Sequence, residues 1–176
     1  KVEQARVPTP IPSNKFTEYE DVEMDDGDYD VLDQERHDEL PELIKERVVL
    51  NKRQLTKIGV EFSIFEPTMT GLKKSILDAT QSVRTHFELE NYHYFWEQGQ
   101  GPEHKVKKKS YFLTDDGLVE SKTSLYRPKT KKGDPRMWFG GLSNFSQSGD
   151  QVAIIIKDGI AYLINLSKTS LEHSLS

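Results

Sequence analysis

The run SLYRPKTKKGDPRMWFGG, residues 124–141, sets Arg127, Lys129, Lys131, Lys132 and Arg136 around two prolines, a glycine and one acid, Asp134. It then enters Met137, Trp138 and Phe139. Lysine ammoniums suit phosphate oxygens, which fix position without reading sequence. Arginine offers a planar fork that matches the two major-groove acceptors of guanine. Pro128 and Pro135 stiffen the run and lower the entropy lost on presenting those side chains. The pattern points to a backbone grip by Lys129, Lys131 and Lys132, joined by Lys105, with Arg127 and Arg136 as base contacts. A solvated basic loop would have the same composition.

A second stretch, ENYHYFWEQGQGPEHK, places Tyr92, Tyr94, Phe95 and Trp96 beside Gln98 and Gln100. Aromatic rings can stack on bases or wedge between them, and glutamine can read adenine. The glycines and Pro102 put Gln98 and Gln100 on an exposed loop, as further candidate base contacts. At least one of Phe95 and Trp96 reads equally well as core. The histidines His86, His93 and His104 lack the spacing of a helical metal pair, and with no cysteine a zinc site would also need carboxylates.

Glu120-Ser121-Lys122 spells Glu-x-Lys, with Asp115 and Asp116 upstream. A magnesium-dependent nuclease could hold its cation with Asp116 and Glu120 while Lys122 supports the attacking water. An alternating charged strand gives the same match, and the two aspartates are already accounted for by a turn. The sequence contains no Gly-rich phosphate loop and no persuasive nucleophile–base pair.

The elements that must position these groups follow from periodicity. Leu43, Ile44, Val48 and Leu55 predict a helix ending at Gly59. Leu72, Ile76, Ala79, Val83 and Phe87 lie on one helical face and predict a second helix, capped by Thr70. Asp115-Asp116-Gly117 joins HKVKKKSYFLT to LVESKTSLYR as a hairpin, and Asp158-Gly159 joins QVAIIIK to IAYLINL as another. The second pair is the more apolar and is expected at the centre of the sheet. Between the hairpins, Asp134 and Pro135 predict a helix carrying Met137, Trp138, Leu142 and Phe145; Trp138 would lock that helix onto the sheet. The fold class is α+β: a mostly antiparallel sheet or partial pseudobarrel with two or three helices.

Charge divides the chain. Its net charge is −5, yet residues 1–45 sum to −9 and residues 46–176 to +4, with +6 concentrated in 104–136. Residues 1–38, proline-containing and then acidic, read as an arm or linker; residues 39–176 read as a single domain. The sharper reading of the arm is an acidic lid over the basic body. The chain has 176 residues and no cysteine, which excludes disulfides, thiolate zinc sites and cysteine nucleophiles. The absence of cysteine fits a cytoplasmic setting. No apolar run is long enough to span a membrane.

The run LYRPKTKKGDPRMWFGGL, with GVEFSIFEPTMTGLKKSILDAT, EQGQGPEHKV and IAYLINLS, resembles the non-catalytic part that precedes the nuclease domain in bacterial restriction endonucleases of the MvaI/BcnI or EcoRII type. The resemblance covers about residues 56–167, and RPKTKKGDPR is its most specific part. It implies an effector domain built on a DNA-binding pseudobarrel, related to the plant B-three fold, that grips the major groove with two arms. Only four strands are evident from the sequence, fewer than a pseudobarrel needs: either further strands lie around 58–66 and 91–97, or the fold is different. The expected function is sequence-specific recognition of double-stranded DNA, with no cofactor and with a nuclease domain elsewhere in the parent protein. The alternatives are a magnesium-dependent nuclease and a protein-interaction module with an acidic docking arm.

Overall fold

A computed structural model describes residues 42–129 and 134–171. The chain folds as an α+β domain around one strongly curled, half-barrel sheet of seven strands. Helix α1 spans Glu42–Lys57, followed by strand β1 (Ser63–Phe65), helix α2 (Met69–Leu72), strand β2 (Ile76–Asp78) and helix α3 (Gln81–Leu89). Two 3-10 turns, Phe95–Glu97 and Pro102–His104, lead into β3 (Val106–Thr114) and β4 (Gly117–Tyr126). Then come β5 (Arg136–Phe139), α4 (Leu142–Phe145), β6 (Val152–Lys157) and β7 (Ile160–Asn165). The sheet order is β1-β6-β7-β3-β4-β5-β2, and every neighbouring pair is antiparallel except β3 with β7.

Both hairpins form where the turn residues predict them. Asp158 and Gly159 both take left-handed backbone (φ 54° and 75°), the geometry that matches strand twist in a two-residue turn. The apolar β6–β7 pair nevertheless does not sit at the centre. That place belongs to β3, because β7 adds in parallel to its free side.

The inner face of the half-barrel holds the main core: Leu77, Phe112, Leu125, Met137, Phe139, Ile154 and Leu163, sealed by Val83 and Phe87 of α3 and Leu142 of α4. A second cluster lies on the outer face. There Val48 and Leu55 of α1 pack with Ala153, Ile164, Leu166 and Leu171. Asn51 is buried in that interface and donates to the carbonyls of Leu166 (2.9 Å) and Thr169 (2.6 Å). Leu43, expected on the buried face of α1, is instead exposed. Gly59 ends the region at φ 81°.

Four expectations fail here, and the long-range pairing of β2 with β5 accounts for the two lost helices. The single helix expected through Leu72–Phe87 is divided into α2, β2 and α3. Ser75 takes φ 58°, and Ile76–Asp78 pairs with β5. Gly71 packs so close to the Ile76 carbonyl that a Cβ there would lie 2.5 Å from its oxygen. The cap is Thr68, whose Oγ1 accepts from the Gly71 N–H at 3.0 Å, and not Thr70. The helix expected after Asp134 is replaced by β5, so Met137 and Trp138 belong to a strand and only Leu142 and Phe145 are helical. Of the extra strands expected, β1 lies within 58–66, whereas 91–97 forms a turn and a 3-10 segment. The acidic arm lies outside the described residues.

Candidate nucleic-acid interface

The basic turn joins β4 to β5, and its two roots are held by a common anchor. Trp96 projects from the first 3-10 turn with 54% of its surface exposed. The guanidinium of Arg127, just past β4, lies 4.8 Å from the Trp96 ring centre, and that of Arg84, on α3, lies 5.2 Å away. Arg84 Nη1 also donates to Asp134 Oδ1 and to the Ala79 carbonyl, each at 2.6 Å. Trp96 thus touches the ascending root directly and the descending root through Arg84. Cation–π attraction of this kind is worth about 0.5–1 kcal/mol at an exposed site.

The loop before β3 is bonded to the same root. Arg127 Nη1 donates to the Gln98 carbonyl (2.6 Å), and the Gly101 N–H donates to the Arg127 carbonyl (2.8 Å). Gln100 Nε2 donates to the Pro128 carbonyl at 3.3 Å. Gln98 Nε2 donates to the carbonyls of His104 (2.7 Å) and Leu125 (2.8 Å). Its Oε1 is therefore the acceptor, and His93, 2.9 Å away, meets it with a protonated Nε2. Burial holds the His93 pKa below the ordinary imidazole value, and the same cause lowers that of His86, whose Nδ1 faces Ser63 Oγ at 3.0 Å.

The candidate residues separate on this geometry. Lys129 is exposed at the turn, 3.9 Å from Glu103, while Lys131 and Lys132 lie outside the described residues. Lys105 is half-buried just before β3, and Lys107 and Lys109 on β3 and Lys122 on β4 are exposed. Arg127 is half-buried and Gln100 exposed, both at the rim.

Two candidates are placed otherwise than expected. Gln98 is buried with both ends of its amide bonded inside the domain, because it ties the loop to β4. Arg136 is 1% exposed on β5, where Nη1 donates to Asp78 Oδ1 (3.0 Å) and to the Asp134 carbonyl (2.8 Å). As placed, neither side chain faces a ligand on the surface.

Among the described residues, the Glu-x-Lys side chains are spread over a hairpin tip and a strand face. Asp116 sits at the hairpin tip, its N–H on Thr114 Oγ1, while Glu120 and Lys122 lie on the exposed face and Glu120 is 3.7 Å from Lys109. No three histidine or carboxylate side chains converge as a metal cradle among the described residues.

Sequence reading found the basic turn but missed Arg84 and gave Trp96 no specific task. The available signal was an arginine off the apolar face of an amphipathic helix, with a tryptophan in the glycine-containing loop that follows. No family model, curated protein or solved structure matches the chain. Among the described residues no helix is long and apolar enough to cross a membrane.

Proposed function

We propose that the domain is a recognition module for double-stranded DNA that does not itself cut, working beside a nuclease domain in a restriction enzyme. The observation that carries this reading is the Trp96 anchor. An arginine-flanked tryptophan holds both roots of a lysine-rich turn at the rim of a curled sheet. A solvated loop has no need of such an anchor, whereas a phosphate-binding arm loses less entropy on contact when its roots are fixed. The seven-stranded half-barrel also fits the pseudobarrel that the sequence resemblance implies.

In this reading Lys129, Lys131, Lys132 and Lys105 hold phosphates. Arg127 and Gln100 take the base-reading role, since the side chains of Gln98 and Arg136 face inward. Trp96 keeps Arg127 aimed. The test is a gel-shift assay on random duplexes, with sequencing of the retained fraction and a parallel incubation with magnesium or manganese. An enriched motif in uncut DNA is expected. Retention without enrichment removes the recognition role, and cleavage lost in Glu120→Ala replaces this reading with the nuclease one.

A further inference from the structure

The outer face of the sheet is divided between two environments. Strand register places Ile76, Trp138, Ser124 and Lys107 in one row across β2, β5, β4 and β3. Asp78, Arg136 and Tyr126 form the next row, and Lys122 stands opposite Lys109. Side-chain alternation puts all of these on the face opposite Leu77, Met137 and Leu125. Helix α1 covers that outer face over β1, β6, β7 and the Leu113 end of β3, and α2, α3 and α4 contribute to the inner core. Trp138, Tyr126 and Arg136 are nevertheless each only 1% exposed. The Trp138 indole N–H and the Ser124 hydroxyl are buried there without a hydrogen-bond partner. None of the four described helices provides the cover.

Three parts of the chain lie outside the described residues. Residues 130–133 are Thr-Lys-Lys-Gly, too short and polar to cover a tryptophan and of the same charge as the neighbouring lysines. Residues 172–176 follow Leu171, whose N–H is fixed on Asn51 at 3.1 Å under α1, at the other part of the sheet. The third part is residues 1–41, and within it residues 1–15 carry one acid whereas residues 16–40 carry twelve acids and one arginine, interspersed with Phe16, Tyr19, Tyr29, Val31 and Leu32. Extended, 25 residues reach roughly 80 Å, more than twice the width of a seven-stranded sheet at about 4.8 Å per strand. We propose that the outer face of β2, β5, β4 and β3 is the docking surface of the chain's own acidic segment, residues 16–40. Its apolar side chains cover Ile76, Tyr126 and Trp138. Its carboxylates meet Lys107, Lys109 and Lys122 and accept from the indole and the hydroxyl. The proposal does not depend on DNA binding.

Zero-length carbodiimide coupling of the full chain tests it, because only touching carboxylates and amines become amides. Peptide mass spectrometry is expected to find links from residues 16–40 to Lys107, Lys109 or Lys122, unchanged by tenfold dilution and reduced by about 0.5 M salt. Links at Lys109–Glu120 and Lys129–Glu103, 3.7 and 3.9 Å apart, report that the chemistry works. Control links without arm links would overturn the proposal, and so would arm links formed only between isotopically distinct copies. A second measurement uses Trp96→Phe, which leaves Trp138 as the sole tryptophan. Replacing the twelve acids with serine and asparagine should raise acrylamide quenching several-fold while circular dichroism is unchanged. Equal quenching with and without the acids would reject the docking.

Discussion

Arg84 reaches from the first turns of α3 to Asp134, at 2.6 Å, and so fixes the chain where it leaves the basic turn and enters β5. The same guanidinium faces Trp96, which also carries Arg127 from the other side of the turn. Removing the ring should therefore loosen both roots. Trp96→Ala is expected to cost about 1–2 kcal/mol in urea unfolding, the sum of two partly exposed cation–π contacts. Tryptic cleavage after Lys129 should become several-fold faster under native conditions. Unchanged cleavage would mean the turn is held some other way.

Arg136 is expected to act on stability and not on sequence preference. Its side chain is 1% exposed while that of Asp78 is 32% exposed, so its loss removes buried packing and hydrogen bonds more than it strands a buried carboxylate. Arg136→Ala should lower stability by about 1–3 kcal/mol, and lysine should restore only part of this because it lacks the planar fork. After correction for the folded fraction, affinities for preferred and scrambled duplexes should fall alike. A selective loss on the preferred site would restore Arg136 as a base reader.

Gln98 links three segments through one amide. Gln98→Leu keeps the volume but leaves the carbonyls of His104 and Leu125 without their donor, at about 1–3 kcal/mol in total. Gln98→Glu should be worse, because a carboxylate would face two carbonyl oxygens. A neutral result for the Glu variant in thermal unfolding would contradict this geometry.

His86 and His93 predict a pH dependence with a definite sign. Burial lowers both folded-state pKa values below the unfolded value of 6.5, so the native protein binds fewer protons than the unfolded chain. The stability that goes with neutral histidines is complete above pH 6.5 and is lost as pH falls through the folded values. Melting temperature should hold steady from pH 8 to 7 and decline from 6.5 towards 5. Replacing His93 with glutamine should flatten part of that decline, and a slope identical to the parent's would exclude His93 as a contributor.

Lys129 should contribute to DNA binding as a charge. Lys129→Ala is expected to weaken all duplexes similarly and to reduce the log–log salt slope by about one unit. An unchanged slope, with the same outcome at Lys131 and Lys132, would remove the turn from the interface.

Features with local causes were legible in the sequence. Asp158-Gly159, Gly117 and Gly59 announce themselves because each sits where the backbone takes positive φ. Helix α1 was legible from its spacing, although Asn51 in its buried face was not. Strands β2 and β5 were hidden because each finds its partner far along the chain. Leu72, Ile76 and Ala79 keep helical spacing by coincidence, and β5 is buried on both faces, so it has no alternation to read. The basic turn was visible as composition. Its anchor was not, because the partners of Trp96 lie a dozen residues before it and about thirty after it.

The sheet order carries a cost in time. β1 pairs with β6, and β2 with β5, so neither of the first two strands has a hairpin partner of its own. About ninety residues separate Phe65 from Lys157, where β6 ends. At about 5–20 residues per second, a ribosome leaves β1 unpaired for roughly 5–20 s. Contacts of such sequence separation also make for slow folding once the chain is complete. The β1 edge of the half-barrel thus stays unpaired until most of the sheet has been made, and in that interval it can meet a neighbouring nascent chain.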